Sequence, residues 1–224
     1  MKLTPLSAWP ALLLLAACAG TPPPPDWKLN AHGLLQAYAK HYLDGHTRQA
    51  ERQFERARAE IARTGRPDWV ARAELMRCAV RLAALEVGPC RGYETLAQHA
   101  SAAERAYARF IAGEWQGLDA DLLPSHYRGL IAARDDAARL RRLEEIEDPL
   151  ARAIAAGALL RAGAASPEVI AVATRTTSDQ GWRRALLAWL GVQAARAEAA
   201  GDAQALALIR QRMGLVQESL PRER

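Results

Sequence analysis

Apolar side chains recur at every third or fourth position along most of this chain, which is the spacing of one face of an α-helix. The clearest stripe consists of Ala50, Phe54, Ala57 and Ile61. It predicts a helix from about residue 47 to residue 63, with the Thr47 hydroxyl as its N-cap. Sustained alternation of apolar and polar residues, which marks a half-buried strand, does not occur in the sequence. The pattern therefore predicts an all-α protein without a β-sheet.

Glycine, proline and aspartate separate the other apolar stripes and set the expected helix boundaries. Further helices are expected at about residues 29–43, 68–85, 93–99, 101–115, 127–134, 135–147, 149–161, 167–174, 182–200 and 203–217. The segment from Gly113 to Pro124 is rich in turn residues and is the best candidate boundary within the helical domain, residues 27–220. Two lobes, at residues 27–116 and 124–220, are expected on either side of it.

The first two predicted helices resemble a tetratricopeptide repeat. Gly45 lies at the turn, and Ala50, Phe54 and Ala57 follow at the spacing of that family's small, aromatic and small residues. Tyr38 departs from the pattern, because the family has a small residue there. The resemblance implies stacked antiparallel helical hairpins in a TPR-like α-solenoid, and an irregular helical bundle is the alternative. A second, weaker match to the repeat lies near the C-terminus, where Ala194 precedes the turn at residues 201–202 at the family's spacing.

The N-terminal stretch predicts export and lipid attachment. Lys2 is followed by an apolar run that is too short to span a membrane and ends in Leu15-Ala16-Ala17-Cys18. This ending resembles the lipobox of bacterial lipoproteins. The resemblance implies that residues 1–17 are a removed signal peptide, that Cys18 carries the acyl chains, and that Ala19 favours the periplasmic face of the outer membrane. An ordinary signal peptide with a chance cysteine is the alternative.

The residues that follow Cys18 are expected to form a spacer. Residues 18–26 contain four prolines, which favour an extended polyproline II segment rather than a helix. Such a segment would hold the helical domain roughly 25 Å from the lipid.

Two cysteines remain once Cys18 is assigned to the lipid. The periplasm is oxidising, so Cys78 and Cys90 are candidates for a disulfide. Closure is just possible if the helix that carries Cys78 runs to Val87 and becomes easy if it stops near Leu85, and Gly88-Pro89 is suited to turn the chain back. A buried Cys78 with Cys90 unbonded in a loop is the alternative.

The charge pattern argues against a nucleic-acid partner. The formal net charge is +5, but the arginines alternate with acidic residues instead of forming a basic stripe with stacking aromatics. Export also separates the protein from nucleic acid. The sequence favours solvated helix faces.

The candidate chemical groups are all interpreted as structural. The turn with His41, Asp44 and His46 lacks a fourth metal ligand, and the adjacent Ser125 and His126 diverge on a helix. The acidic run that would suggest paired catalytic carboxylates consists of Glu144, Glu145, Glu147 and Asp148. Nearby arginines favour ion pairs on a solvated face. The sequence thus predicts no catalytic residue, metal site, cofactor or small-molecule substrate.

These patterns favour a non-catalytic helical scaffold or adaptor for envelope protein assembly, since tetratricopeptide-like lipoproteins often assist the assembly of outer-membrane proteins or pili. Its expected partners are the membrane, through the lipid anchor, and an envelope protein. The alternatives are a cell-wall enzyme or its accessory domain, and a secretion pilotin. Trp182, Leu186 and Trp189 share one helix face, which is either core or, if exposed, a partner-binding stripe.

Overall fold

A computed structural model describes residues 24–220, and every regular element in that range is helical. The predicted all-α fold without a β-sheet is confirmed for these residues. The helices are α1 (Asp26–Leu43), α2 (Thr47–Ala62), α3 (Pro67–Ala83), α4 (Arg91–Glu94), α5 (Ala102–Ala112), α6 (Ser125–Ala132), α7 (Asp136–Glu144), α8 (Pro149–Arg161), α9 (Pro167–Asp179), α10 (Arg183–Ala199) and α11 (Ala203–Glu218). Short 3-10 segments lie at Ala97–His99 and Ala120–Leu122.

Helices α1 and α2 form a hairpin through a three-residue turn. Gly45 has a φ of 92°, a left-handed conformation that glycine adopts without a steric penalty. Behind the turn, Phe54 is fully buried and its ring centroid lies 5.4 Å from that of Tyr38. The predicted stripe therefore forms the inner face of α2.

Two sequence-based expectations at this hairpin are wrong in detail. Helix α1 begins at Asp26, inside the expected spacer, because Asp26 in the first turn interacts favourably with the helix dipole. Thr47 is the first helical residue rather than the N-cap, and the cap position is held by His46. The Thr47 hydroxyl instead accepts a hydrogen bond from Arg184, a residue far along the chain.

Helices α3 and α8 cross at the centre of the molecule. The middle of α8 is buried without interruption from Ala153 to Leu159. Gly157 allows the close approach, since a Cβ atom placed there would lie 2.8 Å from the carbonyl oxygen of Leu82 on α3. Helix α8 also packs against α5, α7 and α9, so it connects the two halves of the chain.

Helix α10 returns to the first hairpin and closes the bundle. The buried indole nitrogen of Trp189 donates a hydrogen bond to the carbonyl of Ala83 at 3.1 Å. Arg184 lies 3.2 Å from Glu86, and Arg183 lies 4.0 Å from Asp44. One core cluster runs from Ala31 to Trp189, so the two expected lobes share it.

The middle of the chain is less regular than its sequence suggests. The helix expected at 93–99 is only the single turn of α4 followed by a 3-10 segment. Helix α5 ends at Ala112 rather than at Trp115, because Gly113 takes a left-handed conformation. Trp115 then folds back, and its indole donates to the carbonyl of Phe110 at 2.9 Å. Among the described helices, none has the length and apolarity needed to cross a membrane.

Candidate functional site

The structure contains the disulfide between Cys78 and Cys90. The two Cα atoms lie 6.0 Å apart, within the usual range for such a bond. Helix α3 ends at Ala83, two residues earlier than the sequence suggests, and Leu85 follows with a φ of 56°. The early end gives the chain room to turn back toward α3, and the bond ties the irregular segment at residues 84–90 to that helix.

The predicted lipidation site, Cys18, and the lipobox before it lie outside the described residues. The described chain begins with Pro24 and Pro25, which are exposed and lead directly into α1. The predicted spacer therefore joins the helical domain at the start of α1.

The three residues of the first candidate metal site lie near an arginine. The ring centroids of His41 and His46 are 5.9 Å apart. Arg183 lies 4.0 Å from the Asp44 carboxylate and 3.5 Å from Nε2 of His46. A guanidinium in this position repels a metal ion. Over residues 24–220, no group of three or more His, Cys, Asp or Glu side chains could hold one.

Ser125 and His126 open helix α6 beside a shallow pocket. The His126 ring lies 4.0 Å from that of Tyr127, and burial lowers the pKa of His126 while the Asp148 carboxylate opposes this shift. Asp148 is also the N-cap of α8, since it accepts a hydrogen bond from the amide of Ala151 at 2.6 Å. The pocket has a volume of about 240 Å³ and is lined by Tyr107 as well.

The acidic run at 144–148 forms ion pairs at the surface, as the sequence suggests. Glu145 lies 2.8 Å from Arg142, and Glu144 lies 3.8 Å from Arg175. Since Asp148 caps α8, three of the four carboxylates of the run have an arginine or a backbone amide as partner.

Two buried glutamates escape detection in the sequence. Glu74 is 5% exposed, and its carboxylate lies 3.1 Å from Arg58 and 4.0 Å from Arg77. It also packs on Gly92, where a Cβ would come within 2.9 Å of the carboxylate atoms. Arg77 lies three residues from Glu74 on α3, but Arg58 comes from α2, so local spacing alone does not reveal that Glu74 is buried.

Glu104 is the second buried glutamate. It accepts a hydrogen bond from the backbone amide of Ser101 at 2.8 Å, while Ser101 accepts one from the Glu104 amide at 3.2 Å. This reciprocal pair is a capping box, and the Ser-x-x-Glu spacing could have identified it. Arg72 lies 2.9 Å from the same carboxylate. Both glutamates thus have structural partners.

An apolar groove lies between α1 and α3, and we call it the tryptophan groove. Its volume is about 630 Å³. The apolar lining comprises Pro24, Trp27, Leu29, Ala31, Leu35, Ile61, Trp69, Ala73 and Met76. The rings of Trp27 and Trp69 meet edge to face with centroids 5.6 Å apart. The groove opens beside the start of α1, where the predicted spacer joins the helical domain.

Three cations surround the Trp69 ring. Lys28, Arg66 and Arg72 lie 5.4, 5.4 and 5.0 Å from its centroid. Arg66 is paired with Asp68 and Arg72 with Glu104, whereas Lys28 makes no ion pair with any described residue. The buried indole nitrogen of Trp69 has no hydrogen-bond acceptor within the described part of the chain.

A second unpartnered surface lies on the C-terminal hairpin, α10 with α11. No residue of α11 is buried. Leu208 and Leu215 are 58% and 64% exposed and lie seven residues apart, so they share one helix face. The possible stripe of Trp182, Leu186 and Trp189 is core instead, because Trp189 is fully buried, Leu186 is buried and Trp182 packs against the core.

The two surfaces lie near opposite ends of α1. The tryptophan groove surrounds its first turns, whereas α10 contacts the first hairpin near Asp44. The 17 residues from Trp27 to Asp44 correspond to about 25 Å of helix.

Comparison of the chain with models of known protein families, with curated proteins and with solved structures found no match.

Proposed function

We propose that this protein is an outer-membrane lipoprotein that faces the periplasm and acts as a non-catalytic helical adaptor in envelope protein assembly. Removal of residues 1–17 would leave Cys18 as the acylated N-terminus. The lipobox-like sequence supports the anchor, and the exposed face of α11 supports the adaptor role.

The face of α11 carries the adaptor proposal. A terminal helix in a helical stack needs a polar outer face to remain soluble. Helix α11 instead exposes Leu208 and Leu215, whose burial by a partner would contribute about 1–2 kcal/mol each. Helix-in-groove partners are recognised through side chains at this spacing.

The alternative of a cell-wall enzyme requires an available carboxylic acid. Both buried glutamates, Glu74 and Glu104, are already ion-paired with arginine. The geometry therefore favours binding over catalysis.

Lipid attachment is tested by growing cells that express the full chain with radiolabelled palmitate. Label should enter the protein and be absent from the Cys18→Ala variant, which should also leave the membrane fraction. Equal fractionation of both forms without label would rule out the anchor.

The adaptor role is tested with a photo-crosslinking amino acid at position 208 or 215, and at the exposed Ala137 on α7 as a control. A discrete adduct is expected from the α11 positions alone, and Leu215→Asp should remove the adduct formed at 208. Adducts of the same kind from position 137, or none from either α11 position, would refute the proposal.

A further inference from the structure

The tryptophan groove has the dimensions and lining of a small-molecule site. Pockets that hold small ligands usually measure roughly 300–1,000 Å³ and are mainly apolar with a few polar groups at defined positions. The groove, at about 630 Å³, lies within that range. Its polar side chains are the exposed Lys28, His32, Gln36 and Arg72.

The backbone around the groove favours an aliphatic occupant over an extended peptide. Beyond their first turns, helices α1 and α3 run continuously past the groove, so the peptide groups of those parts are satisfied within each helix. An extended peptide would therefore find few backbone partners along the groove, and burial of its amides without hydrogen bonds is costly. An acyl chain carries no such groups.

The charges beside the groove favour an anionic headgroup. Lys28 is exposed beside the Trp69 ring and has no acidic partner among the described residues, and Arg66 and Arg72 lie near the same ring. A phosphate near Lys28 would gain a charge-assisted hydrogen bond.

We propose that the tryptophan groove binds one acyl chain of a single-chain anionic phospholipid, with Lys28 beside the phosphate. The membrane supply of this ligand rests on the proposed lipid anchor. Pro24 lies six positions after Cys18, and six residue steps can span at most about 22 Å, so an anchored domain keeps the groove close to the lipid surface. Pro24 itself lines the groove.

The binding test uses the non-lipidated chain from Ala19 onward, which contains every described helix, and lysophosphatidylglycerol below its critical micelle concentration. Trp27 and Trp69 lie in the groove, so intrinsic fluorescence should report saturable binding of one ligand per protein. Leu29→Asp places a charge at the groove and should weaken binding about tenfold or more. Val87→Asp is the matched control, since Leu29 and Val87 are 54% and 61% exposed and Val87 does not line the groove, and it should leave binding unchanged.

The headgroup is tested with zwitterionic lysophosphatidylcholine, which should bind several-fold more weakly than the anionic lipid. Lys28→Glu should remove that difference. Circular dichroism and thermal unfolding establish that each variant is folded. Absence of saturable binding, or equal loss in Leu29→Asp and Val87→Asp, would overturn the proposal. Because this protein carries no lipid, either result is independent of the palmitate-labelling experiment.

Discussion

Gly157 allows a direct test of the central α3–α8 crossing. In an exposed helix, replacement of glycine by alanine stabilises the protein by about 0.5–1 kcal/mol, because the unfolded chain loses conformational freedom. At Gly157 the added methyl group would lie 2.8 Å from the carbonyl oxygen of Leu82 and 2.9 Å from its Cγ atom. Both atoms belong to a buried residue of α3, so the crossing must widen.

The magnitude follows from these two opposed effects. Addition of a methyl group to a packed core typically costs about 1–3 kcal/mol. With the propensity gain subtracted, we expect Gly157→Ala to lower the free energy of unfolding by up to about 2 kcal/mol. For a protein of this size, this corresponds to a fall in Tm of up to about 8 °C.

Gly191 on α10 is the matched control, since a Cβ there would meet no atom within 4 Å. Gly191→Ala should therefore stabilise the protein by about 0.5–1 kcal/mol. Urea unfolding followed by circular dichroism measures both variants, and their difference isolates the packing cost. If Gly157→Ala were as stabilising as Gly191→Ala, the close crossing of α3 and α8 would be wrong.

Three further predictions concern the disulfide and the buried titratable groups. The disulfide closes a loop between cysteines 12 residues apart. Replacement of Cys78 and Cys90 by serine should lower the free energy of unfolding, measured in urea, by about 3 kcal/mol. A loss below about 1 kcal/mol would contradict this prediction. Burial raises the pKa of all five tyrosines, that of Tyr42 to about 12. Unfolded tyrosine ionises near pH 10, so the stability of the protein should fall as the pH rises above 10. Absorbance at alkaline pH should show phenolate only as the protein unfolds. Free titration of the tyrosines near pH 10 in the folded protein would refute their burial. Partial desolvation lowers the pKa of His126, so the unfolded state takes up its proton first and stability should fall as the pH drops below about 6.5. Urea midpoints of His126→Gln should vary less with pH in that range, and identical pH profiles would count against the lowered pKa of His126.

Local patterns in the sequence account for most helices and for the disulfide. The stripe of Phe54 and its neighbours, the break at Gly45 and the Asp148-Pro149 start of α8 all depend on interactions within one turn or one face of a helix. Such interactions leave a periodic or positional signal that can be read directly.

The features that failed prediction depend on distant residues. Thr47 was expected to cap α2, but its hydroxyl binds Arg184. The tryptophan groove likewise needs Trp27 from α1 and Trp69 from α3, and neither residue alone indicates a pocket. The burial of Glu74 depends on arginines from two helices.

The sequence alone therefore determined the helical class and most of the helix positions, and it gave the resemblances on which the proposed lipid anchor and adaptor role rest. Each of these depends on residues close together in the chain. Only the tertiary structure decided that α10 closes against the first hairpin, that Trp189 is core, and that two apolar surfaces remain open near opposite ends of α1. The reason is physical: which apolar faces are buried depends on how helices pack, and that packing joins residues whose separation along the chain leaves no periodic signal.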